Sequence, residues 1–309
     1  MAIDAPLIVS VTNQVADVGG TLAVTNHVQV GSADGVRWSL VDAPSGVTLN
    51  PTNGILRWEP TCSQASRDHF VTFKATRVGN TNIYDLHTFV VRVNECVVPG
   101  LGGVVLSAGD SGRLPVNLIS TVPITNFAMT VETATNRIQN LFLEPIVPEI
   151  CSTHVVLAPN LGGTTEGDGF HLVSFGACPT QFLVGTQQIA WLHFTTVSNQ
   201  SSAFLSLNLD NAVGRKLDGS EVRNFAPQSG RVVIVGQEPL LEALIDTNRQ
   251  PAMILYGQPG PGYVIESKPA LSFVFPWEVA WRGEQTNLFQ QLPIITDANR
   301  TLFFRARTE

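Results

Sequence analysis

The chain has 309 residues, too many for one small β-sandwich and room enough for two or three domains. Only 14% of the residues are charged and 44% are hydrophobic, which excludes a disordered chain. The net charge is −7 and the 18 Lys and Arg are scattered, which excludes a nucleic-acid surface. No apolar run approaches the roughly 20 residues of a membrane-crossing helix, so membrane insertion is not expected. Met1-Ala2-Ile3-Asp4 carries neither a basic n-region nor an apolar h-region, and reads as the edge of a larger polypeptide.

In chain order, the first clear elements lie in residues 44–61. Asn53-Gly54 predicts a tight turn, because Gly accepts positive φ and Asn tolerates it. In the strand that follows, Ile55 and Arg57 share one face while Leu56 and Trp58 share the other. Trp58 is the natural core anchor, and Pro60 ends the strand by withholding a donor. Across 68–77, Val71, Phe73 and Ala75 alternate with Thr72, Lys74 and Thr76. Across 86–93, Phe89, Val91 and Val93 alternate with Thr88, Val90 and Arg92. Strands with one apolar face, spaced this way, predict a sandwich. Arg37-Trp38-Ser39-Leu40, Ala43-Pro44-Ser45-Gly46, Asn50 to Gly54, Trp58-Glu59-Pro60-Thr61 and Thr88 to Glu95 together resemble the immunoglobulin- and cadherin-like repeats of large bacterial surface proteins. The resemblance covers residues 6–95 and implies a spacer or binding platform.

Val97 to Gly103 is rich in Gly, lacks periodicity and predicts a joint, and a second joint is expected near Val235 to Pro239. The expected domains are therefore 1–97, 98–236 and 237–309. Within the second, Gly112–Leu118, Phe127–Val131 and Ala190–Thr196 alternate as strands. Leu106 to Gly112, Pro123 to Met129, Leu217 to Glu221 and Gly230 to Val235 resemble the two ends of cohesin modules. Cohesins are jelly-roll sandwiches related to carbohydrate-binding modules, so the resemblance implies a dockerin as partner. The Gly162–Gly169 loop departs from that pattern.

In the third domain, Leu240–Ile245 is read as a short helix with Glu242 and Asp246 outward. Strands are expected at Tyr263–Ser267 and Leu302–Ala306. Leu255 to Gly260, Tyr263 to Ser267, Trp277-Glu278-Val279 and Phe303 to Ala306 resemble a short C-terminal β-module of secreted proteins of planctomycete and verrucomicrobial type.

Four cysteines, Cys62, Cys96, Cys151 and Cys178, form no Cys-x-x-Cys and allow three pairings. The expected pairs are 62–96, which would tie the loop after the Trp58 strand to the end of the first domain, and 151–178. A hairpin in which Val156 faces Val173 would bring Cys151 opposite Cys178. The alternative is four buried free thiols. No His-Glu-x-x-His, Gly-x-Ser-x-Gly or Walker loop is present. His193, set among apolar residues, reads as a strand residue. Glu144, Glu149, Glu166 and Asp168 would be the carboxylates of a hydrolase. Glu166 and Asp168 are also the candidate ligands for calcium, the one cofactor the sequence suggests, with a solvated hairpin tip as the alternative. Asn208 to Asn211 is a weaker calcium candidate, since Asn and Asp also make turns. Trp277 and Trp281 follow a turn at Pro276 and would stack on sugar rings if exposed, or fill a core if not. The overall expectation is an all-β chain of tandem β-sandwich modules, without catalytic activity. It would serve as a structural or interaction segment of a larger secreted or cell-surface bacterial protein. A protein or polysaccharide at the cell surface is the expected partner.

Overall fold

A computed structural model describes residues 5–30, 35–158, 168–245, 251–271, 274–292 and 302–309, with the side chains of Val30 and Asp168 left aside. Glu166 and the Asp168 side chain therefore lie outside the described residues. The chain is all-β: among the described residues the one helical element is a single 3-10 turn, Cys62–Gln64.

The first sandwich uses β1 (Leu7–Ile8), β2 (Gln14–Ala16), β3 (Leu22–Thr25), β4 (Val28–Val30), β5 (Val36–Asp42), β6 (Thr48–Leu49), β7 (Ile55–Trp58), β8 (Arg67–Arg77) and β9 (Tyr84–Val93). One sheet runs β2-β9-β8-β5 and faces β3-β7-β6. Trp38, Trp58, Phe73 and Phe89 fill the space between them. Gly54 has φ 68°, and a Cβ there would stand 2.8 Å from the Trp38 ring, so the turn and the core select glycine together. The cores of 68–77 and 86–93 fall on the faces that alternation assigned.

The middle of the chain contributes β10 (Val97–Leu101), β11 (Gly103–Ser107), β12 (Ser111–Ala134), β13 (Ile138–Pro145), β14 (Ile150–Ala158), β15 (Asp168–Ala177), β16 (Leu183–Thr196), β17 (Ala203–Lys216) and β18 (Gly230–Val235). The 24-residue β12 organises them. Its first half pairs with β10 and β16, its second half with β15 and β17. Leu114 and Leu118 from one half, with Leu192 of β16, share a core with Phe127 and Met129 from the other half and Phe175 of β15. One strand thus serves both layers of the sandwich.

The last elements are β19 (Leu240–Ile245), β20 (Pro251–Tyr256), β21 (Gly262–Lys268), β22 (Glu278–Glu284), β23 (Phe289–Leu292) and β24 (Phe303–Thr308). They form two three-stranded sheets, β19-β20-β23 and β22-β21-β24, around Met253, Leu255, Tyr263 and Ile265.

Two expectations need correction. Leu240–Ile245 is strand β19, paired antiparallel with β20, and not a helix. Six residues are too few for a stable helix in water, and the partner strand supplies the hydrogen bonds. Val97–Leu101 is not a free linker but the buried strand β10, paired in register with residues 116–120.

The first two cores are joined by a polar lock. Asp17 accepts from the side-chain amides of Asn94 at 2.7 Å and Asn224 at 3.1 Å. The Glu95 carboxylate accepts from Lys216 Nζ at 3.2 Å and the Arg223 N–H at 3.0 Å. Burial, the largest influence on Glu95, pushes its pKa up. The backbone N–H groups of Arg223 and Glu95, with the Lys216 ammonium, more than offset it and hold the carboxyl below its usual range. Because the folded pKa is the lower one, this stabilisation is present above the unfolded value of about 4.3 and is lost as pH falls through the folded one. We expect the melting temperature to fall with acid in that window, and Glu95→Gln to flatten that fall. An acid slope unchanged in Glu95→Gln in a pH series of thermal melts contradicts the assignment.

Candidate recognition face

The second half of β12, with β14, β15 and β17, presents a four-stranded outer face in the order β14-β15-β12-β17. Side-chain alternation sends Phe127, Met129, Val173 and Phe175 inward to the core. Their neighbours must therefore point out. One cross-strand row is Val156–Leu172–Thr130, and the next is His154–Ser174–Ala128–Val213. A third is Ser152–Gly176–Asn126–Arg215. Val156 is 56% exposed, Leu172 44% and Val213 63%.

A bulge between Ala128 and Thr130 lets β17 slip. Asn211 takes φ 49° there and donates from its side chain to Thr130 Oγ1 at 3.3 Å. Polar groups bound the apolar centre. At one end Asn208 donates to Glu132 at 2.9 Å, beside Asp210. At the other end Arg215 donates to the Gly219 carbonyl at 3.2 Å. Near Arg215 the face dips into a cleft of about 580 Å³, lined by Asn126, Ala128, Ser152, Ser174, Gly176 and Arg215. Gly176 keeps the cleft open, since a Cβ there would stand 2.4 Å from Ser152 Oγ. Just beneath the sheet, burial lowers the pKa of His171, whose Nδ1 lies 3.3 Å from Thr133 Oγ1.

The residues singled out from sequence are dispersed. Cys62 bonds to Cys96, and Cys151 to Cys178. The hairpin register differs from the expected one: Val155, not Val156, faces Val173, and a bulge between Ile150 and Ser152 restores the approach of Cys151 to Cys178. Glu144 lies on β13 and accepts from His193 Nε2 at 2.7 Å. Asn208 and Asn211 direct their amides to Glu132 and Thr130. Among the described residues no cluster of three His, Cys, Asp or Glu could hold a metal ion. Trp281 packs against the last core, while Trp277 lies on the opposite face of that sheet, its ring 4.3 Å from the Arg305 guanidinium and 4.6 Å from Lys268 Nζ. The two do not share a platform. The exposed Val156, Leu172 and Val213, in two adjacent rows, were missed, although they stand out of step with the inward residues of β14, β15 and β17.

No family model matches the chain, and no curated protein matches it. Similar solved structures include cohesin modules. A cohesin from Clostridium acetobutylicum is 18% identical, with a TM-score of 0.37, covering 46% of this chain and 92% of its own. A cohesin–dockerin complex from Clostridium thermocellum gives 13% identity and a TM-score of 0.38, covering 46% and 96%. A non-cellulosomal cohesin from Archaeoglobus fulgidus gives 12% and 0.33, covering 45% and 91%. Overlaps at this level do not transfer a binding partner.

Proposed function

We propose that this chain is a non-catalytic interaction segment of a larger secreted or cell-surface bacterial protein, built of three β-modules over 1–97, 98–236 and 237–309. The outer face of β14-β15-β12-β17 is where it docks a protein partner. The observation that carries this reading is the exposure of Val156, Leu172 and Val213 in adjacent rows of one sheet face with polar groups at its ends. An apolar centre inside a polar border is the anatomy of a protein-binding patch. Each segment has a main core of its own, which supports the division, while Val97 and Val98 straddle the first joint and Val233 and Val235 pack on Tyr256 across the second. Two disulfides suit an oxidising compartment outside the cytosol. The finer reading, a dockerin as that partner, rests on the sequence resemblance at the two ends of the middle segment.

Site-specific photo-crosslinking on intact cells tests it. A benzophenone at Val213 is expected to capture a defined protein, and the same group at exposed Thr48 on the first sandwich is not. Capture should drop at least tenfold when Leu172→Asp is added. Equal capture from both positions, or capture indifferent to Leu172→Asp, overturns the assignment. A purified dockerin that fails to compete removes the finer reading alone.

A further inference from the structure

On the other side of the same core, β13, β16 and the first half of β12 form a second outer face. Its register places Arg113, His193 and Phe142 in one row across three strands, and Pro115, Trp191 and Glu144 in the next. The side chains are locked together. The Phe142 and His193 rings stack 4.6 Å apart and 3° from parallel. His193 Nε2 lies 2.7 Å from Glu144 Oε2, and the Arg113 guanidinium sits 4.2 Å over the Trp191 ring. One face of Phe142 is taken by His193, yet the residue is still 55% exposed.

We propose that this patch is a carbohydrate-binding platform for a neutral polysaccharide. A sugar ring offers an apolar C–H face ringed by hydroxyl groups. Phe142 supplies the flat apolar surface for the first, held in place from behind by His193. Glu144 accepts from hydroxyls, and Arg113 donates to them. One carboxylate balances one guanidinium, so the patch has no net charge to recruit an acidic polymer. Strand spacing sets its size at about 10 Å across three strands and about 7 Å along them. Because the two rings stack across the ladder, the free face of Phe142 looks out past β13, and the footprint accepts a sugar ring stacked there while being too small for a stable protein interface. Rigid neighbours matter because fixing a mobile ring on binding would cost side-chain entropy. The platform lies on a different sheet face from the protein-docking surface and does not depend on it.

Affinity electrophoresis of the full chain tests the proposal, in gels containing a soluble β-glucan, a mannan or polygalacturonate. We expect retardation by at least one of the two neutral polymers. Phe142→Ala should weaken it at least tenfold and the near-isosteric Glu144→Gln several-fold. Val213→Asp, on the other face, should leave it unchanged. Thermal melts confirm that each variant is folded, and Glu144→Gln decides the matter if Phe142→Ala melts early. Retardation by polygalacturonate alone, by none of the three polymers, or undiminished in both variants overturns the proposal.

Discussion

Phe127→Ala is expected to destabilise the middle sandwich by about 3–5 kcal/mol. Phe127 is fully buried and stacks on Phe175 with ring centroids 4.7 Å apart and planes within 16°. The two rings face each other across the β12–β15 ladder, directly under the cleft beside Ala128 and Ser174. Truncation removes an aromatic contact and leaves a void that two hydrogen-bonded strands cannot collapse to fill. Hydrogen exchange should report it locally, with faster opening of β12 and β15 amides and little change in β8 and β9, whose core is separate. Because the rings touch, Phe127→Ala combined with Phe175→Ala should cost less than the sum of the two. A loss below about 1 kcal/mol, or equal effects on both cores, contradicts this account.

The same residues show what the sequence could disclose. Strands β7, β8 and β9 were legible because each has one strongly apolar face, and the burial of Leu56, Val71, Phe73, Val91 and Val93 follows it. The recognition face was not, for a physical reason. In Val155-Val156-Leu157 both faces of β14 are apolar, so alternation separates two faces without saying which one the fold covers. Only the pairing with β15, and of β15 with β12, sends Val155 inward and Val156 out. The one-residue error in the hairpin register has a similar origin, because bulges add a residue without changing composition. In β19 the leucines at 240, 241 and 244 suit a helix period, and the decisive partner, β20, is invisible to a local window. The Phe142–His193–Glu144 group was hidden for another reason: Phe142 and Glu144 are neighbours on β13, but His193 lies 49 positions beyond Glu144 and meets them only across the β13–β16 ladder.

The disulfide at the edge of the recognition face gives the second large effect. Cys151 and Cys178 close a sequence separation of 27 residues, with Cα atoms 4.8 Å apart. Loop-closure entropy assigns such a bond roughly 3–4 kcal/mol against the unfolded chain. Its position makes it more than a general staple. β14 is the outermost strand on its side of the sheet and pairs with β15 alone, and the bond sits at the end where the ladder is broken by a bulge. Cys151→Ser with Cys178→Ser is therefore expected to free β14 first. Amides of Thr153 to Leu157 should exchange faster, and the Ser152–Gly176 side of the cleft should open with them. Photo-crosslinking from Val213, at the far edge on β17, should survive better than crosslinking from Val156 on β14 itself. A double variant that melts like the parent, or loses protection evenly over the whole sandwich, would show that the bridge does not hold this edge.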